Sequence, residues 1–346
     1  MSRMLEEIRQ QPEALARTLH AEWRGIERLR SSFTKRRPQL IVLAARGTSD
    51  NAAQFGRYLL EITTGIPVSL AAPSVATLYG ARLNYGDALV VAISQSGEST
   101  DTNVVLEQAK VSGARTVGIT NEASSTLAQL ADHVILVRAG KEKSVAATKT
   151  YTGQILAFYL LAYALGAKLK QADLERIPAW AAAALTLEPA VTALAPRFRF
   201  MEQAVVVGRG LNYANAFEFA LKMMETCYVV AERFSSADFL HGPIALVERG
   251  FPLFLFAPSG VTWPTMAEML VKLKHLHAET LVVTDRMNPE AKQRATCELI
   301  LPARIPELYT AIPYIIPAQI FAARLAAEKG LDPDRPRTLS KITRTL

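Results

Sequence analysis

Cysteine is nearly absent: Cys227 and Cys297 stand alone in 346 residues, with no C-x-x-C spacing between or around them. This excludes a disulfide scaffold and a structural zinc site, and it suits a reducing compartment. Histidine is also scarce, and His275 and His277 sit two apart, a spacing that points them to different faces of a helix. They read as a solvated helix end, so no metal is expected. Long apolar runs are missing too. The longest uncharged one, residues 155–167, has 13 residues, short of the roughly 20 that a spanning helix needs. The start, Met1-Ser2-Arg3-Met4-Leu5-Glu6-Glu7, places acidic residues where a signal peptide needs an apolar stretch. A cytoplasmic protein without a membrane span is expected. Charge of one sign is little in excess: 39 Lys and Arg against 32 Asp and Glu leaves +7. So thin an excess favours small anions without implying nucleic acid.

What is present is a foldable chain, 50% apolar and 21% charged, long enough for two domains of about 150 residues each. Leu5, Ile8, Leu15, Leu19, Trp23, Ile26 and Leu29 recur at helical spacing, with Pro12 as an expected break. After this leader, residues 40–45 form a buried-strand pattern that ends in the turn Arg46-Gly47-Thr48-Ser49 and a helical pattern. Residues 68–70, 88–93, 116–119 and 133–136 are further strand patterns, each followed by a helix-length segment, so a parallel sheet is expected. A long helix over 145–165 closes this half. A second series starts at 203–207 and continues through 254–256, 280–284 and 299–301 to a helix over 309–329. Arg46-Gly47 and Tyr79-Gly80 match Arg209-Gly210 and His241-Gly242 at intervals of 33 and 32 residues. The fold class is therefore α/β, two tandem doubly wound parallel-sheet domains. The expected boundaries are a helical leader at 1–30, domains at 31–167 and 200–330, a linker at 168–199 and a tail at 331–346. Duplication predicts equivalent ligand sites at the strand C-termini of both halves.

The segment Ser94-Gln95-Ser96-Gly97-Glu98-Ser99-Thr100 leaves a strand and enters a helix. Hydroxyls, a flexible glycine and backbone N–H groups gathered at a helix N-terminus suit a phosphate. A capping turn needs one such hydroxyl, not four. No Gly-Lys-Ser/Thr follows, and there is no G-x-S-x-G, so a nucleotide loop and a nucleophile elbow both recede. Ser49, in the neighbouring turn, could add a hydroxyl to the same ligand. In the second half Glu218, Lys222 and Glu225 fall at i, i+4 and i+7, on one face of an otherwise apolar helix. The pattern reads equally as surface ion pairing or as a catalytic set with perturbed pKa values. His241, before Gly242-Pro243, is a candidate proton shuttle or a structural residue. The Pro-broken tail, if it folds over the sheet edge, offers the Lys341 amine to a carbonyl.

Together these segments resemble the two-domain sugar isomerase (SIS) family from about Ile26 to Leu346. The likeness is to the isomerase half of glutamine:fructose-6-phosphate amidotransferases and, more closely, to stand-alone glucosamine-6-phosphate deaminases. It is carried by Ser94 to Ser99, Ala146-Ala147-Thr148-Lys149-Thr150, Ala220 to Glu225, His241-Gly242-Pro243 and Leu339-Ser340-Lys341. The resemblance implies that Glu225 moves a proton between C1 and C2 and that Lys222 supports it, with Glu218 on the same helix face. It implies that His241 assists ring opening, often across a subunit interface, and that Lys341 forms or positions an imine. Ser49, Ser94, Gln95, Ser96 and Ser99 would contact phosphate and sugar, with Val145 and Ser340 lining the sugar. Met224 stands where the family usually has Lys, and Ser99 where Thr is common in the amidotransferase. The chain begins without the N-terminal Cys of a glutaminase, so glutamine hydrolysis is not expected. The implied activity is an amino-sugar-phosphate deaminase or isomerase without a cofactor, acting as a homodimer. The alternatives are a sugar-phosphate isomerase or deglycase for another phosphorylated amino sugar, and a non-catalytic sugar-phosphate sensor.

Overall fold

The computed structural model describes residues 2–339, so Ser340 and Lys341 lie outside the described residues. The chain forms two compact units. One holds Gln11–Lys143 and Lys149–Arg176; the other holds Ser144–Thr148, Ile177–Thr338 and the N-terminal residues through Gln10.

In the first of these, β1 (Ile41–Ala44), β2 (Val68–Leu70), β3 (Leu89–Ile93), β4 (Arg115–Thr120) and β5 (His133–Leu136) form one sheet in the order β2-β1-β3-β4-β5. Every pairing is parallel. Both faces of β1 and β3 are covered, which is why these strands read as unbroken apolar runs. The winding reverses between β1 and β3, the place where doubly wound sheets bind ligands beyond their strand ends. The helix Thr48–Thr64 packs closely on Lys149–Ala164: a Cβ on Gly56 would lie 2.3 Å from the Phe158 ring.

The other unit repeats the plan with β6 (Gln203–Gly208), β7 (Val230–Ser235), β8 (Pro252–Phe256), β9 (Glu279–Asp285) and β10 (Cys297–Leu301). These strands are all parallel, in the order β10-β9-β8-β6-β7. The helices Tyr213–Cys227 and Ala311–Glu328 share an aromatic core with the sheet. Phe219 meets Phe254 edge-on at 5.1 Å and Phe321 at 5.9 Å. Such pairs add roughly 0.5–1.5 kcal/mol beyond the area they bury.

Four local features differ from the expectations above. The leader breaks at Gln10, and Pro12 lies inside the first turn of Gln11–Lys35, where a missing N–H costs nothing. The helix expected over 145–165 starts at Lys149, because the Glu142 carboxylate takes the Thr150 N–H at 3.1 Å and its hydroxyl at 2.7 Å. The stretch 168–199 contains the helices Gln171–Leu174, Ile177–Leu185 and Glu188–Leu194. Strand β7 has no counterpart among the expected strands. Among the described residues no single helix is long and apolar enough to cross a membrane.

Candidate active site

The loop after β3 is built with its donors free. The Gln95 carbonyl accepts from Asn121 N–H at 3.1 Å, and the Gly97 carbonyl accepts from Leu127 N–H at 3.0 Å and Asn103 Nδ2 at 3.2 Å. With the carbonyls tied outward, the N–H groups of Gln95, Ser96 and Ser99 have no acceptor among the described residues. The hydroxyls follow the same rule. Ser94 Oγ accepts from Gly97 N–H (3.1 Å), Ser96 Oγ from Glu98 N–H (3.3 Å), Ser99 Oγ from the Thr102 hydroxyl (3.0 Å) and Ser49 Oγ from Gln154 Nε2 (2.9 Å). Each therefore keeps its own proton for a ligand oxygen. Ser99 occupies the N-cap of Thr100–Val111 without making a side-chain cap bond. The capping reading thus leaves the hydroxyls unexplained, whereas an acceptor-only anion uses all of them.

Gly97 is required at the turn, with φ +69° and an ideal Cβ only 2.1 Å from Ser125 Oγ. Glu98 closes the outer side of the loop. The Thr126 N–H (2.9 Å) and hydroxyl (2.7 Å) both donate to it and hold its carboxyl below the ordinary carboxylate range.

The corresponding loop of the second unit follows β8, and its side chains are paired differently. Ser259-Gly260 stand three and four residues past β8, as Ser96-Gly97 do past β3. The Ser259 and Thr262 donors of the second loop are used by the chain's own carboxylates. Ser259 N–H and Oγ bond Asp285 at 2.8–2.9 Å, and Thr262 Oγ1 bonds Glu307 at 2.5 Å. A Cβ on Gly260 would lie 2.1 Å from Glu307 Oε2. Buried Tyr314 completes the set, donating to Asp285 at 2.7 Å; burial and that carboxylate raise its pKa well above the usual phenol value.

The ionisable trio on Tyr213–Cys227 is not a surface ion-pair row. Lys222 Nζ lies 2.5 Å from Glu225 Oε2 and 3.4 Å from Glu218 Oε1, with side-chain exposures of 1% for Lys222, 0% for Glu218 and 23% for Glu225. Burial alone lowers the Lys222 pKa, but the Glu218 and Glu225 charges outweigh it and the net shift is upward. Only Glu225 is open to a ligand; Glu218 serves as the sealed counter-charge. Asn212 and Asn215 fix the start of this helix through Thr310 Oγ1 (2.7 Å) and the Ala311 carbonyl (2.9 Å). At its other end, Tyr228 adopts φ +54°, accepts the Arg337 N–H at 2.7 Å and carries the Arg337 guanidinium 4.4 Å over its ring. The segment 331–338 is thus anchored, and Asp334 caps the first helix through Arg3 and Met4 N–H at 2.7 and 2.9 Å.

The remaining expected residues come from other segments. His241 ends the short helix Ser236–Leu240; it is exposed and has no side-chain hydrogen bond among the described residues. Val145 is half-buried on the segment Ser144–Thr148, which Glu7 holds through Ser144 N–H at 3.1 Å. Sequence reasoning missed Gln154, Asn103, Glu142 and Thr126, whose partners are distant in the chain or on the backbone. Among the described residues no cluster of His, Cys, Asp and Glu offers a metal site, and both cysteines are buried thiols.

The chain is 37% identical over 354 residues to a glutamine–fructose-6-phosphate aminotransferase [isomerizing] of Gloeobacter violaceus, covering 98% of this chain and 58% of that relative. The chain thus spans little more than half the length of that protein. The C-terminal domain of a Francisella tularensis glucosamine-fructose-6-phosphate aminotransferase superposes with a TM-score of 0.87 at 29% identity, covering 97% and 98% of the two chains. A glucosamine-6-phosphate deaminase of Thermotoga maritima gives a TM-score of 0.76 at 22% identity over 99% and 100%, a likeness of fold alone. Among these, identity is higher with the aminotransferases than with the deaminase. The SIS domain family matches residues 35–164 and 199–329, and the chain belongs to that family, carrying the domain twice.

Proposed function

We propose that this chain is an amino-sugar-phosphate deaminase/isomerase that converts glucosamine-6-phosphate, or a close analogue, and water to fructose-6-phosphate and ammonia. The observation that carries the reading is the buried Glu218–Lys222–Glu225 trio, in which one carboxylate alone is open to a ligand. A non-catalytic sensor has no use for a desolvated acid–base set on an apolar helix. The hydroxyls and N–H groups of the Ser94–Thr100 loop, with Ser49, take the phosphate. His241 assists ring opening. Glu225 then removes the C2 proton of the open-chain aldehyde and returns it to C1, leaving a C2 imine that water cleaves to the ketone and ammonia. Lys222, paired with the Glu225 carboxylate at 2.5 Å, positions it for the proton transfers, while Lys341 is assigned to form or position an imine and Val145 and Ser340 to contact the sugar.

Ammonia release and ketose formation, measured over a panel of phosphorylated 2-amino sugars, test this directly. Stoichiometric ammonia and ketose phosphate from at least one of them is the expected result. Ketose formation without ammonia would assign an aldose–ketose isomerase instead, and tight binding without turnover would assign a sensor.

An exposed, unpartnered His241 also fits donation to a neighbouring copy, so the active form is proposed to be a homodimer. Mixing His241→Ala with Glu225→Gln, each inactive alone, should restore part of the activity once subunits exchange. Demonstrated exchange with no recovery would return His241 to its own chain's reaction.

A further inference from the structure

We infer that Arg46 is the cation of the phosphate cradle, an inference that rests on the phosphate reading of the Ser94–Thr100 loop. That loop presents only neutral donors, whereas a phosphate monoester carries about −1.5 to −2 charges near neutral pH. In the chain Arg46 reads only as part of a turn, but the register gives it a place. Ala44, the last residue of β1, pairs with Ala92 across β1 and β3, so Arg46 and Ser94 each follow that pair by two residues, at the sheet edge where the winding reverses.

The guanidinium is held there, not loose. Nε and Nη2 both donate to Asp101 Oδ2, at 2.9 and 2.7 Å. Asp101 is nearly sealed at 3% side-chain exposure, while Arg46 is 48% exposed. One edge of the fork is therefore committed, and the other N–H groups have no acceptor among the described residues. A planar guanidinium fixed along one edge offers the other as a ready pair of donors for an oxyanion.

Electrostatics require such a partner. Asp101 lies in the first turn of Thr100–Val111, the helix end a phosphate would use, and an uncompensated carboxylate there would repel it. Arg46 offsets that charge, and Asp50 acts on the same guanidinium, so what Arg46 adds is its outward pair of charged N–H donors, not a net positive charge. Another cation near the loop is Lys141, which lines a cavity of about 350 Å³ with Gln95, Ser96, Glu98, Glu122 and Glu142. Three carboxylates around one ammonium make that cavity unfavourable for a dianion. Arg46 is the better candidate.

The test is calorimetric titration of the full chain with inorganic phosphate, alongside KM for glucosamine-6-phosphate. Ser94→Ala/Ser96→Ala tests the phosphate reading itself and should weaken phosphate binding. Arg46→Met and Arg46→Gln, with folding checked by circular dichroism, should each raise the phosphate Kd by about tenfold or more, as expected for a lost charged hydrogen bond. Arg46→Lys should recover part of that loss, and the effect should fall on KM more than on kcat. If the serine pair weakens binding and both Arg46 variants bind phosphate as the wild type does, the inference is overturned and the phosphate reading stands. It is overturned in the same way if Lys141→Met, rather than the Arg46 variants, carries the loss. If the serine pair also binds as the wild type does, the phosphate reading itself is lost.

Discussion

Glu225→Gln should lower turnover by roughly 10²–10⁴-fold while changing KM little, because it removes a group needed only in the proton-transfer steps. The glutamine keeps the size of the side chain and can still accept a hydrogen bond from Lys222, which sits 2.5 Å from the native carboxylate. What it cannot do is accept the substrate proton. Glu218 cannot substitute, since its side chain has no exposure and already faces Lys222 at 3.4 Å. Steady-state kinetics on the purified variant checks this. A modest effect confined to a rise in KM would show that Glu225 binds substrate without moving the proton.

Lys222→Met should reduce stability by about 3–5 kcal/mol, the usual cost of breaking a buried ion pair from one side, and turnover should fall with it. The variant leaves Glu218 charged and sealed without its counter-ion, so that carboxyl takes up a proton instead. Adding Glu218→Gln to Lys222→Met should return part of the stability and none of the turnover, since Glu225 still lacks its Lys222 partner. Denaturant unfolding with parallel activity assays separates the two effects.

The sign of the pH dependence follows from the upward shift of Lys222 from its ordinary value of 10.5. A raised amine gives its full stabilisation below the ordinary value and loses it only as pH climbs toward the folded one. Wild-type stability should therefore show no loss from Lys222 at neutral pH and a decline only in strong alkali. The Lys222→Met variant should lack that alkaline component.

Much of the site is legible in the chain because it is local. Glu218, Lys222 and Glu225 share one helix face by spacing, and the free hydroxyls of Ser94, Ser96 and Ser99 lie within one loop. The interior strands are legible for a similar reason, as β1 and β3 are buried on both faces and carry continuous apolar runs. Strand β7 escapes notice because it is an edge strand whose centre is Glu232-Arg233, both exposed.

Pairings between distant residues are invisible in the sequence. Arg46 meets Asp101 across 55 residues, and Ser49 meets Gln154 across 105. The same limit applies to the loop after β8. Ser259-Gly260 resembles Ser96-Gly97 in the chain, and only folding brings Glu307, 45 residues beyond Thr262, onto its donors. The two loops thus share the Ser-Gly turn and differ in the carboxylates that reach it.

Exchange of carbon-bound hydrogen in deuterated water tests the central claim most directly. Incubated with the wild-type protein, a turned-over amino-sugar phosphate should gain deuterium at C1 or C2, seen by nuclear magnetic resonance, and the Glu225→Gln protein should give no such exchange. Exchange at the wild-type rate in the variant would mean that the proton travels through another group, and the assignment of Glu225 as the base would be wrong.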